Sequence, residues 1–162
     1  MRIFIAIHYL EIGGVETSLI NLLLALDPSR VDVDLLVYDP RGEMMELIPD
    51  WVHQIKAPKA YHYIERPIKE TLLSGVFQVA WARLKAKWEM RQYARTQQPR
   101  DTSAIFGYVG KYVTPILPSL HNLGEYDLAI SYLTPHNIVR DKVKARKKIA
   151  WIHTDYGKIE VN

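Results

Sequence analysis

Five apolar residues in succession, Ile3-Phe4-Ile5-Ala6-Ile7, open the chain and read as a strand covered on both faces. A polar, glycine-containing turn follows over 8–14, and an amphipathic run over 15–26 is stopped by Asp27-Pro28. Residues 31–38 (VDVDLLVY) alternate and then turn apolar, a second strand. A short helix over 43–48 precedes Pro49, and 51–55 form a third strand. Strand alternating with helix predicts a parallel, doubly wound α/β sheet with helices on both faces.

Residues 59–123 break that rhythm and predict a helical insert: a short helix over 67–74, a long one over 76–98 and a mixed segment over 102–123 interrupted by Pro115 and Pro118. The sheet then resumes with a strand over 126–133 (YDLAISYL). Thr134-Pro135 is expected to cap a helix running to about Lys144, with proline at its first position. Residues 147–152 (KKIAWI) form the next strand, and the basic run from Lys142 to Lys148 reads as a solvated helix end favoured by the dipole. The whole of 1–162 is expected to be one Rossmann-like domain, and the stop just past a strong strand suggests that the natural protein continues.

Along the long helix, Phe77, Trp81, Leu84 and Trp88 fall within an arc of about 60° at 100° per residue. Arg83, Lys87, Arg91 and Arg95 wind beside them at i, i+4 spacing. Two arrangements fit. In the default one the tryptophans pack on the sheet and the basic side chains solvate the outer face. In the other, Trp81 and Trp88 with Arg83, Lys87 and Arg91 face a membrane interface carrying anionic lipid.

Composition narrows the classes. Hydrophobic residues make up 48% and charged residues 24% of 162, ordinary for a globular domain. A net charge of +3 is too small to argue for nucleic acid. Cysteine is absent, which removes disulfides, thiolate metal sites and a cysteine nucleophile and suits a reducing compartment such as the cytoplasm. No apolar run reaches the roughly 20 residues of a membrane span, and the opening one is too short for a secretory signal.

Candidate chemistry collects at the carboxyl ends of the strands, which lie on one edge of a parallel sheet. Those ends carry His8 and Tyr9, then Tyr38, Asp39 and Arg41, then Thr134 and His136, then His153, Asp155 and Tyr156. Three of the six histidines fall there, beside the turn holding Gly13 and Gly14. Glycine there permits positive φ and close approach of a ligand, and the following helix offers unpaired N–H groups to an anion. The turn reads I-G-G-V-E-T, not GxGxxG, so a dinucleotide site loses its support even though Asp39 mimics a ribose-binding acid. The histidines lack metal-ligand spacing, so no metal is expected, and no GxSxG elbow is present.

The opening strand, G-G-V-E-T at 13–17, S-L-I-N-L-L at 18–23 and the V-D-V-D-L-L-V strand resemble group 1 glycosyltransferases, the retaining nucleotide-sugar enzymes of GT-B architecture often placed in glycosyltransferase family 4. The Y-D-L-A-I-S strand and I-A-W-I-H-T-D fit the same pattern, so the resemblance spans 1–56 and 126–157. It implies an N-terminal, acceptor-side domain whose donor-binding partner domain, with its paired glutamates, lies outside this chain. It implies that Gly13 and Gly14 approach the diphosphate of a UDP- or GDP-sugar. His153 would lie near the transferred sugar as the family's active-site histidine. Glu16, which would repel a diphosphate, goes to acceptor binding or capping, with His8, Tyr9, Thr134, His136 and Asp155 also on the acceptor side. The acceptor would be a glycan or a lipid-linked molecule, with no metal or other cofactor and with peripheral contact at the inner face of the membrane. The competing reading is a stand-alone Rossmann-like binding module without catalysis.

Overall fold

The computed structural model describes residues 1–97 and 104–153. Five strands form one all-parallel sheet: β1 (Arg2–Ile7), β2 (Asp32–Val37), β3 (His53–Ile55), β4 (Glu125–Ser131) and β5 (Lys144–Ala150), in the order β3-β2-β1-β4-β5. The chain therefore runs outward from β1 to one edge, then returns to the other side of β1. That reversal between β1 and β4 is the switch point at which open α/β sheets bind ligands.

The apolar strands are explained by cover on both faces. Ile3, Ile5 and Ile7 of β1 pack with Val33, Leu35 and Val37 of β2 beneath α1 (Gly14–Ala25), which contributes Leu19, Ile20 and Leu23. Phe4 and Ala6 face the opposite layer with Leu36 and Ala129. That layer is built from α2 (Lys59–His62), α3 (Ile68–Leu73), α4 (Phe77–Gln97), α5 (Ala104–Val113) and α6 (Asn137–Lys142). The expected Rossmann-like sheet with helices on both faces and a helical insert is the observed architecture. At the amino end of the sheet, buried Asp34 accepts hydrogen bonds from Tyr126 at 2.6 Å and Arg2 at 2.7 Å, which ties β1, β2 and β4 together.

Four expectations are corrected. The first concerns α4, which does not bury its tryptophans. Phe77, Trp81, Leu84 and Trp88 are 64%, 74%, 41% and 62% exposed, whereas Val79, Ala80, Ala82 and Ala86 are buried. Small side chains let α4 lie close to its neighbours, and Glu89 reaches Lys111 of α5 at 2.9 Å. The second concerns Lys144 to Lys148, which are not a helix end but part of β5: the backbone of 144–150 pairs with β4, and Arg146 meets Asp127 at 3.5 Å. Thr134, third, does not cap a helix; the Thr134–Pro135 peptide is cis and α6 starts at Asn137 with His136 at the cap.

Glycine is the fourth. Gly13 is extended at φ −161° and Gly14 is helical, so neither uses positive φ. Gly42, at φ +107°, does. A Cβ there would meet the Leu10 carbonyl oxygen at 2.2 Å. The turn after β2 and the turn after β1 are packed backbone to backbone, joined by Leu10 N–H to Arg41 O at 2.9 Å and Met44 N–H to Leu10 O at 2.9 Å.

Candidate functional site

The ladder ends set the site. Tyr38 N–H donates to Ile7 O and Asp39 N–H to His8 O, Tyr132 N–H to Ala6 O, and Trp151 N–H to Ser131 O. These bonds bring the exits of β2, β1, β4 and β5 side by side at the carboxyl edge, and each exit carries a polar or aromatic side chain.

His8 leaves β1 and is 2% exposed. Its ring stands edge-on to Tyr38 at 5.1 Å between centroids, its Nδ1 lies 3.0 Å from Glu65 Oε1, and its Nε2 meets no hydrogen-bond partner among the described residues. Tyr9, half-buried, lies under the Arg41 guanidinium at 4.8 Å. Burial raises the Tyr9 hydroxyl above its ordinary value, and the Glu65, Glu11 and Glu16 carboxylates add to the rise. The Arg41 guanidinium opposes them.

His136, at the cap of α6, pairs its Nδ1 with Ser131 Oγ at 2.9 Å. Burial holds its pKa below the ordinary imidazole value against the effect of the Ser131 backbone, and the nearby His153 and His8 lower it further. His8 and His153, 145 residues apart in the chain, thus both lie close enough to act on His136. His153 lies beyond β5, its ring 4.9 Å from Tyr132 and 6.4 Å from Trp151, with Nε2 buried and unpartnered among the described residues. Tyr132 stacks on Trp151 at 5.1 Å and its hydroxyl meets Ser18 Oγ of α1 at 2.9 Å. Tyr132 thereby links the first turns of α1 to His153.

At the β1–α1 turn, Gly14 is exposed and open to approach. Gly13 is not: the Glu16 carboxylate lies against it, 2.3 Å from where a Cβ would stand. Glu16 is itself buried at 8% exposure. Thr134 lies half-buried in the turn after β4. Asp155 lies outside the described residues, as does Tyr156. Among the described residues no group of three or more His, Asp or Glu side chains is placed to hold a metal ion.

Of the five residues expected to face a membrane, four do face outward: Trp81, Lys87, Trp88 and Arg91 are exposed on α4. Arg83 does not. Its guanidinium turns inward and donates to the carbonyls of Tyr63, at 3.0 Å, and Arg66. Burial lowers its pKa, and Glu65 opposes that. A groove of about 290 Å³ runs along the outer face of α4 between Trp81, Leu84, Lys85 and Trp88, away from the sheet edge.

Glu65 and Arg66 were not legible from the sequence as site residues. They sit in the loop between α2 and α3 with no motif around them, and only tertiary packing brings Glu65 to His8. Tyr132 and Trp151 carried a signal, being aromatic residues at strand exits beside the named histidines. No protein-family model, curated protein or solved structure matches this chain.

Proposed function

We propose that the chain is the N-terminal, acceptor-side domain of a retaining glycosyltransferase, which moves a sugar from a nucleotide-sugar donor to a glycan or lipid-linked acceptor. The observation that carries this reading is the gathering of His8, His136 and His153 at the switch point, with two buried Nε2 atoms unpartnered among the described residues. Buried polar atoms of this kind are costly unless water or a ligand meets them. Imidazole nitrogens and aromatic walls suit sugar hydroxyls and ring faces.

In this reading His153 lies by the transferred sugar, hydrogen-bonding a hydroxyl or supporting developing positive charge. The diphosphate of a UDP- or GDP-sugar approaches the exposed Gly14 and the N–H groups of the first turn of α1, with Gly13 beside it. The Glu16 carboxylate lies against Gly13, so it must swing away as the diphosphate arrives. His8, Tyr9, Thr134, His136 and Asp155 serve the acceptor. The reaction asks for no metal or other cofactor, and donor-binding groups come from a further domain. The test is nucleotide release from UDP-, GDP- and ADP-sugars by the protein expressed from its complete reading frame, with His153→Ala alongside. Release from one donor, lost in the variant, supports the reading. Turnover of no donor, with lipid and cell-extract acceptors supplied, hands it to the stand-alone binding module.

A second observation gives α4 its part. Phe77, Trp81, Leu84 and Trp88 lie exposed beside Lys85, Lys87 and Arg91, with Leu72 and Leu73 of α3 also exposed. No helix among the described residues is long and apolar enough to cross a membrane. Apolar and aromatic side chains flanked by cations suit the headgroup boundary of anionic lipid, so the reading places the protein in the cytoplasm with peripheral contact at the inner face of the membrane. Sedimentation with phosphatidylglycerol vesicles, and not with phosphatidylcholine vesicles, is the expected result; Trp81→Ser/Trp88→Ser should abolish it. Equal sedimentation of wild type and double variant would overturn the lipid contact.

A further inference from the structure

Glu65 is a carboxylate that can only accept, and it lies 3.0 Å from His8 Nδ1. A carboxylate at that distance favours the hydrogen on Nδ1, and in the neutral ring Nε2 is then left with a lone pair. That Nε2 is buried and without a partner among the described residues, on a side chain 2% exposed. A group that satisfies it must bring a hydrogen.

Glu65 is held in place from both sides. Arg83 donates to the carbonyls of Tyr63 and Arg66, the residues flanking Glu65 at a distance of one or two positions. Arg66 in turn grips Asp39 at the exit of β2. The Glu65 carboxylate stands beside His8, while at Tyr9, the next residue in the chain, Glu65, Glu11 and Glu16 act against the Arg41 guanidinium. An incoming phosphate or carboxylate oxygen would meet the Glu65 carboxylate across the ring and an acceptor at Nε2. A hydroxyl would meet a partner.

We infer that His8 Nε2 receives the hydroxyl hydrogen of a neutral sugar, with Glu65 as its positioning residue, so that this corner of the site admits a polyol and refuses an anion. The inference deepens the transferase reading, on which the identification of that sugar as the acceptor rests.

The test uses the chain labelled with ¹⁵N-histidine, with His8→Gln to assign the ring signals. The Nδ1-protonated tautomer is expected at pH 8 in wild type, and a mixture of tautomers in Glu65→Ala. Titration with methyl α-glucoside, methyl α-galactoside and methyl α-mannoside should move the Nε2 signal for at least one of them. Glu65→Ala should weaken that binding about tenfold, the loss of the carboxylate that holds the His8 tautomer. Glu65→Gln, whose amide oxygen accepts from the same Nδ1–H, should restore most of it. Inorganic phosphate at the same concentration should leave the signal in place. A wild-type Nε2–H tautomer, a phosphate response equal to that of the glycosides, or no response to any glycoside would overturn the inference. Donor turnover by the complete protein separates the two readings. Turnover with an acceptor KM unchanged in Glu65→Ala sinks the role of Glu65 and leaves the transferase standing, whereas a glycoside response at His8 without turnover of any donor does the reverse.

Discussion

Arg66 grips Asp39 through two parallel hydrogen bonds, Nε to Oδ2 at 2.9 Å and Nη2 to Oδ1 at 2.7 Å. The pair joins the α2–α3 loop to the exit of β2, and Asp39 also takes Arg41 Nε at 3.0 Å. A paired, planar fork of this kind fixes orientation as well as proximity. Asp39→Ala should therefore lower stability by about 1–3 kcal/mol, since it leaves two guanidinium groups without their shared carboxylate. It should also release Glu65 from His8. Chemical denaturation reads the first effect and the His8 ring tautomer the second; Asp39→Asn, which keeps an acceptor, should show less of both.

The orientation of α4 makes opposite predictions for its two faces. Ala86 is fully buried, so Ala86→Leu should overpack the insert and cost about 1–3 kcal/mol. Trp81 is 74% exposed, and Trp81→Ser should stay within about 0.5 kcal/mol of wild type. Reversed magnitudes in urea denaturation would mean that the tryptophan face is the packed one.

The glycines divide in the same way. Gly42→Ala should cost about 3 kcal/mol or more, because it adds a Cβ at φ +107° in contact with the Leu10 backbone. Gly14→Ala, in the first turn of a helix with open space around it, should be neutral or stabilising by up to about 1 kcal/mol. Thermal unfolding of the two variants checks this. If Gly14 receives the donor diphosphate, Gly14→Ala should lose donor turnover while keeping its stability.

His136 gives a pH dependence with a defined sign. Its pKa in the folded protein is lowered by burial, with His153 and His8 adding to the effect, relative to an ordinary value of 6.5. The unfolded chain therefore binds a proton at a higher pH than the folded one. Stability should fall as the pH drops through about 6.5 toward the folded value and be flat in this respect above it. His136→Gln should remove that part of the slope between pH 7.5 and 5. An unchanged slope in the variant would show that His136 does not supply it.

The sheet was legible because its cause is local. Ile3, Ile5 and Ile7 point one way and Phe4 and Ala6 the other, and all five are buried, so an unbroken apolar run had to be a strand covered on both faces. Parallel strands place their carboxyl ends together, so the approach of His8, His136 and His153 followed from strand positions alone. The periodicity of α4 predicted a stripe of Phe77, Trp81, Leu84 and Trp88 but not its direction. A helix buries whichever side fits its neighbours, and here Val79, Ala82 and Ala86 fit more closely than two indole rings. The basic run from Lys144 is a strand because β4 supplies a hydrogen-bonding edge, which outweighs a weak local preference.

Tertiary packing alone sets the company each polar group keeps. His8 and Glu65 stand 57 positions apart, Asp39 and Arg66 27, and Ser18 and Tyr132 114. Arg83, read from its helix spacing as a solvent-facing cation, instead braces the loop that carries Glu65. Side-chain periodicity reports on the element to which a residue belongs. The tautomer of His8 and the charge around it depend on an element elsewhere in the chain, and no local pattern encodes that contact.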